Sequence, residues 1–278
     1  MAGGCRPSIA AMNQLSSPLG DQLRTWRQRR HLSQLDLALD AEISTRHLSF
    51  METGRARPSR EMVLRLAERL EVPLRERNTL LVAAGFAPVF PQRDLGHPAL
   101  SAARKAVDLI LTGHEPFPAL AVDRGWNLVA ANRAVAPLMA GVDPQLLAGQ
   151  VNVLRLSLHP LGLAPRIVNL DVWRTYILER LRREIDITAD EGLAALLSEL
   201  RAFPGSAAGS RATQGAPLDG IAMPLEMQIE GQLLSFLVTT TVFGTATEIT
   251  LSELTLETFF PANAETAAAI QSMARTVA

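Results

Sequence analysis

The 278-residue sequence predicts a mainly α domain of five short helices with helix-turn-helix geometry, followed by a larger α+β domain with an antiparallel sheet of about five strands. Three observations predict this. Five helical patterns, each opened by a capping signal, run from Ser17 to Gly85. The stretch from Ala87 to Pro98 then has prolines and no periodicity. Beyond it the apolar period changes to two in several short runs.

The first helix opens at Ser17-Pro18, a hydroxyl cap followed by the residue that loses least at the first helical position, and Leu19, Leu23 and Trp26 share one face. The second opens at Ser33. There Ser33 and Asp36 approximate a capping box, and Leu35, Ala38 and Leu39 supply the apolar side. A third helix opens at Ser44. Only Ala41-Glu42-Ile43 separates it from the second, too short for an antiparallel hairpin but suited to two helices that meet near a right angle. The fourth starts at Ser59 with Val63, Leu66, Ala67 and Leu70 at helical spacing, and the fifth runs from Leu74 to the stop signal Gly85.

In the second domain a helix with Ala103, Val107, Ile110 and Leu111 on one face leads into strands Ala119–Asp123 and Asn127–Ala131, joined by Arg124-Gly125-Trp126. Helical patterns return at Asn132–Met139, Asn169–Glu184 and Glu191–Ala202, and the small-residue run Phe203–Gly220 predicts a mobile loop. Leu225, Met227 and Ile229 alternate with polar residues, Gly231 permits a turn, and Leu233–Phe243 is the candidate central strand. Leu254, Leu256, Thr258 and Phe260 alternate with Glu253, Thr255 and Glu257, which predicts a strand with the glutamates on a wet face. An Ala-rich helix closes the chain, and the helices are expected on one side of the sheet. The expected boundaries are a disordered leader at 1–15, the helical domain at 16–88, a linker at 89–99 and the second domain at 100–278.

Charge separates the two domains. Residues 1–90 carry 13 arginines against 9 acids, a net +4, whereas the remainder carries 14 basic and 19 acidic residues, a net −5. The first domain is therefore the nucleic-acid candidate. A single cysteine, Cys5, excludes a disulfide framework and a CxxC metal site, and no apolar run approaches a membrane span, so a cytoplasmic location is expected.

In a helix-turn-helix the amino end of the second helix of the pair enters the major groove, which puts Thr45, Arg46, Ser49 and Phe50 against base edges. The Arg46 fork can pair with guanine O6 and N7, and the Phe50 ring can pack on a thymine methyl. Gln34, Ser44, Arg55 and Arg57 are placed to contact phosphates and set position without reading sequence. A carboxylate at Glu52 would repel phosphates, so it is assigned to an internal ion pair with a neighbouring arginine; His47 and Leu48 are assigned to the interior.

Ser33-Gln34-Leu35-Asp36-Leu37-Ala38, followed by ISTRHLSFMETGRARPSREMVLRLAERLEVPLRERN and LLVAAGFAP, resembles XRE-type, lambda-repressor-like regulators. AVDRGWNLVAANRAV and LHPLGLAPRIVN resemble the PAS-like second domain of their MmyB-like branch. One departure is Glu42 at a turn position often held by Gly, which requires a left-handed backbone at a cost of about 1 kcal/mol. The resemblance implies a transcription regulator whose second domain binds a small apolar ligand, a long-chain fatty acid being the kind of occupant associated with this family. Helix-turn-helix geometry leads to the expectation of a homodimer on double-stranded DNA with a near-palindromic operator.

Apolar side chains that can line such a pocket are Phe117, Trp126, Leu128, Leu138, Met139, Trp173, Ile177, Met223, Leu234 and Phe236, with Arg133 and Arg166 as partners for a ligand carboxylate. No cofactor or metal is expected. A flavin photoadduct would need a cysteine beside the ring, and His114 and His159 are scattered candidates for a haem ligand. No P-loop, GxSxG, HExxH or dinucleotide fingerprint points to an enzyme, and the acids Asp186 and Asp190 read as a solvated helix junction. The competing reading makes the second domain a dimerisation or protein-interaction module without a ligand.

Overall fold

The computed structural model describes residues 19–205, 223–244 and 246–277. The leader with Cys5, the Ser17-Pro18 cap and most of the Phe203–Gly220 loop lie outside them. The chain divides into two compact units, one reaching to Pro91 and including Thr247–Ile249, the other comprising the rest.

In the first unit the helices are α1 (Leu19–Arg29), α2 (Gln34–Asp40), α3 (Thr45–Glu52), α4 (Arg60–Arg69) and α5 (Leu74–Ala83). Capping chemistry sets their starts. Ser33 and Asp36 form a full capping box on α2, and the Ser44 and Ser59 hydroxyls accept from the backbone N–H of His47 and Met62. Gly85 stops α5 at φ +86°, and Glu42 adopts the left-handed φ of +56° between α2 and α3. Leu23, Leu37, Leu48, Val63, Leu66, Leu70, Leu80 and Leu81 form the core.

The apolar face of α2 differs from the expected one. Leu37, Ala38 and the following Ala41 are buried, whereas Leu35 and Leu39 are 56% and 67% exposed. A two-turn helix carries two stripes of similar hydrophobicity, and packing against α3 and α4 selects between them.

The second unit opens with α6 (Ser101–Gly113) and holds one five-stranded antiparallel sheet: β1 (Ala119–Val122), β2 (Leu128–Ala131), β3 (Met223–Ile229), β4 (Gln232–Val242) and β5 (Thr255–Pro261), in the order β2-β1-β5-β4-β3. The remaining helices of this unit include α7 (Val153–Leu158), α8 (Leu170–Thr188), α9 (Glu191–Ala202) and α10 (Ala264–Val277), and Arg133–Met139 forms a 3-10 segment. The Asp123 carboxylate closes the β1–β2 turn by accepting from the N–H groups of Gly125 and Asn127, at 2.8 and 2.9 Å, with Trp126 in the left-handed region at φ +63°.

Helices cover both faces of this sheet. One face packs Leu120, Leu225, Met227 and Phe236 with Trp173, Ile177 and Leu181 of α8 and Leu197 and Leu200 of α9. On the other face Val107 and Leu111 of α6 cover Ala119, Ala121, Leu254 and Leu256, while Ile110 is exposed. The β5 leucines are buried as expected, but the opposite face is not wet either. The leucines lie under α6, and Glu257, expected on a wet face, is 5% exposed among the core residues of the helix-covered side.

Candidate nucleic-acid interface and ligand cavity

The two faces of α3 carry different chemistry. Leu48, Met51 and Glu52 point inward and are buried; Thr45, Arg46, Ser49 and Phe50 lie on the partly or fully exposed side. Glu52 anchors the inner face. Arg27 Nε and Nη2 donate to its two carboxylate oxygens at 2.6 and 2.9 Å, Gln34 Nε2 donates to Oε2 at 2.8 Å, and Arg24 lies 3.6 Å away. Burial pushes the Glu52 carboxyl up, but the bonds from Arg27 and Gln34 and the charges of Arg27 and Arg24 outweigh it and hold the carboxyl below its ordinary range.

The arginines of this unit consequently fall into two sets. Arg30 and Arg77 donate to the Leu70 and Val72 carbonyls just beyond α4, and Arg27 donates to the Leu32 carbonyl in the turn after its own helix. Arg55 and Arg57 are exposed, and their side chains have no hydrogen-bond or ion-pair partner among the described residues. Arg46 is exposed too, its guanidinium carbon 5.3 Å from the centroid of the Phe50 ring. The Ser44 hydroxyl accepts from His47 N–H and keeps its own proton to donate outward. Leu48 is interior as expected, and His47 is half-buried.

In the second unit an apolar cavity of about 100 Å³ sits between the sheet and α7 and α8. Its walls include Trp126, Leu128, Val135, Leu138, Met139, Leu154, Trp173, Ile177, Leu225, Met227, Val238 and Phe259. Two polar side chains reach it, Ser157 and Glu257. Ser157 Oγ accepts from the Trp173 indole N–H at 2.8 Å. Glu257 Oε1 accepts from Arg180 Nη2 and Thr240 Oγ1, both at 2.9 Å. Arg180 in turn lies 4.4 Å from the Trp126 ring centroid and donates to Glu184, which accepts the Trp126 indole N–H at 2.8 Å. Burial pushes the Glu257 carboxyl above its ordinary range despite Arg180 and Thr240. A larger groove of about 240 Å³, lined by Glu115, Pro116, Arg133, Ala134, Pro137, Ile270, Met273 and Ala274, shares Leu138 with the cavity.

The family description of an MmyB-like transcription regulator ligand binding domain matches residues 103–273, more than half of the chain. The chain belongs to the MmyB-like transcription regulators. A helix-turn-helix domain description matches residues 18–80. Together they identify a DNA-binding transcription regulator with a separate ligand-binding domain. A solved structure, the clp gene regulator ClgR from Corynebacterium glutamicum, is 26% identical over 35% of this chain and 90% of that chain, with a TM-score of 0.22 that carries no weight for the fold. No curated protein matches.

In this MmyB-like regulator six of the ten candidate pocket residues line the cavity: Trp126, Leu128, Leu138, Met139, Trp173 and Ile177. Leu234 and Phe236 are buried in the sheet core and Phe117 packs against it, away from the lining; Met223 opens β3, and its side chain lies outside the described residues. The two candidate carboxylate partners are engaged elsewhere. Arg133 pairs with Glu115 at 2.7 Å, and Arg166 donates to the Ala140 and Leu138 carbonyls. His114 approaches the Phe259 carbonyl, and His159 Nδ1 accepts from Leu161 N–H. Asp190 is not a solvated partner of Asp186: it caps α9 and pairs with Arg124. Glu257 and Ser157 are the polar cavity residues that the sequence did not disclose, with Arg180 behind Glu257. The one available signal was a glutamate within the apolar run Leu254–Phe260. No helix among the described residues is long and apolar enough to cross a membrane.

Proposed function

We propose that the regulator binds a near-palindromic operator as a homodimer, with α3 of each copy in successive major grooves about 34 Å apart, and that a small apolar ligand in the second domain changes its DNA affinity. The observation that carries the DNA half is the division of arginines. Those behind α3 are tied to Glu52 and to helix ends, while Arg46, Arg55 and Arg57 stand exposed around it. In this reading Thr45, Arg46, Ser49 and Phe50 meet base edges, and Gln34, Ser44, Arg55 and Arg57 meet phosphates. The cytoplasm is the compartment this role requires.

The ligand half rests on the apolar cavity. A fatty acid is the family's kind of occupant, but drug-sized ligands fill about 300 Å³ or more. In this reading a long chain extends past Leu138 from the cavity into the adjoining groove, and the two together reach such a volume. Lipid extraction and mass spectrometry of native protein test this. Recovery of an apolar species supports it, and absence of any species together with failure to bind added amphiphiles favours an interaction module instead.

The DNA half is tested by pull-down of sheared genomic DNA, sequenced for enriched sites, with Arg46→Ala in parallel. One near-palindrome is expected, and the variant loses it at a cost of about 1 to 3 kcal/mol. Arg55→Ala is expected to weaken all sequences alike and to lower the salt slope by about one. A strictly monomeric protein–DNA complex would refute the dimer.

A further inference from the structure

Resting on the reading of the second domain as a ligand sensor, we propose that an amphiphile with a carboxylate head lies there in one fixed direction, its tail in the apolar cavity and its head in the adjoining groove on the guanidinium of Arg133. The two ends of the path past Leu138 differ in chemistry. At the inner end the polar groups are committed to one another: Ser157 Oγ accepts from the Trp173 indole N–H, and Glu257 accepts from Arg180 and Thr240. Arg180 already donates to two carboxylates, Glu184 and Glu257. A methyl terminus meets hydrocarbon and aromatic walls here at no cost in hydration, whereas a charged head would give up its water without gaining a cation.

At the outer end the groove has an apolar wall that includes Pro137, Leu138, Ile270 and Met273, and Arg133 is the one cation among its lining residues. Glu115, in the turn after α6, pins Arg133 at the start of the 3-10 segment. Its Oε1 accepts from the Arg133 backbone N–H and from Nε, both at 3.3 Å, and its Oε2 accepts from Nη2 at 2.7 Å. That pairing uses one edge of the planar fork. The edge formed by Nη1 and the second Nη2 hydrogen has no acceptor among the described residues, and the side chain is 83% exposed. A guanidinium shared by two carboxylates occurs twice in this unit already, at Arg180 with Glu184 and Glu257 and at Arg124 with Asp190 and Glu253. Water screens the exposed Arg133, so it sets direction and head-group preference while the buried tail supplies most of the affinity.

Two brominated decanoates test the direction on the full chain, one with bromine beside the carboxylate and one with bromine on the terminal carbon. Bromine quenches tryptophan fluorescence on close approach, and Trp126 and Trp173 stand in the cavity wall. The terminal bromide is expected to quench and the head-end bromide to bind without quenching. Quenching by the head-end bromide as strong as by the other overturns the direction and leaves ligand sensing intact. Calorimetry with decanoate and decanol tests the head-group site. The wild-type protein is expected to prefer the acid by about fivefold, Glu115→Gln to raise that preference and Arg133→Gln to abolish it. Loss of packing does not produce opposite signs at two residues in contact. No acid preference in the wild-type protein, or one that Arg133→Gln leaves unaltered, overturns the site. Failure of both decanoate and decanol to bind overturns the sensing reading and this assignment with it.

Discussion

Glu52→Ala is expected to destabilise the DNA-binding domain by about 3 to 5 kcal/mol, because removing one member of a buried ion pair strands the other. Arg27, whose side chain is 11% exposed, loses both carboxylate contacts, and the Gln34 amide loses its acceptor. Domain stabilities are about 5 to 15 kcal/mol, so the variant consumes a large share. Hydrogen exchange of the α1 and α3 amides in the full chain measures it. The same carboxylate makes a pH prediction. Its folded-state pKa lies below the unfolded value, so its contribution is fully present above the ordinary glutamate pKa of about 4.3 and is lost as pH falls through the folded value. Glu52→Gln is expected to flatten the acid limb of stability. An unchanged limb would mean that another carboxylate governs it.

Gly20→Ala is expected to cost about 3 kcal/mol, at the upper end of overpacking, even though alanine is the better helix former by about 1 kcal/mol. A Cβ on Gly20 would stand 2.4 Å from the Glu52 carbonyl oxygen and 2.8 Å from that of Met51. Those atoms are the backbone at the end of α3, with no flexible side chain to yield. α1 must then retreat from α3, which also pulls Arg24 and Arg27 from Glu52. The variant is expected to lose DNA affinity along with thermal stability, and a Tm equal to the wild type would show that the helices separate freely. Helix propensity alone predicts the opposite sign, which makes this a decisive measurement.

Both predictions arise at a contact that the sequence revealed only in part. The repulsion between Glu52 and phosphates was enough to assign it an arginine partner, but not to choose Arg27 or to foresee Gln34 beside it. Gly20 gave no sign, since a glycine near a helix start reads as ordinary. Capping serines, the Gly85 stop and the left-handed Glu42 were legible because each is a local backbone requirement. Which stripe of α2 is buried was not local. Leu35 and Leu39 fit the helical period as well as Leu37 and Ala41, and only the neighbours of α2 decide.

The same limit applies to the cavity. Aromatic and aliphatic candidates were legible as a set, and six of ten line it, because large apolar side chains turn inward from the helices and turns that close on the sheet. Phe236 and Leu234 differ from Val238 by strand register and neighbours, not by type. Glu257 was assigned to solvent by strict alternation. Alternation shows which residues share a face, but not whether either face has water; α6 covers the Leu256 side of β5, and the helices on the other side bury Glu257 as well.

The division of α3 into two faces also bears on how such a regulator changes its target over generations. The residues proposed to read bases make no contribution to the Glu52 anchor, so Thr45 and Ser49 are free to be exchanged while the scaffold behind them stays constant. Arg46 and Phe50 stack on one another and are expected to drift as a pair. New operator preferences thus become accessible by single steps at the helix surface, with the frame of the domain inherited unaltered.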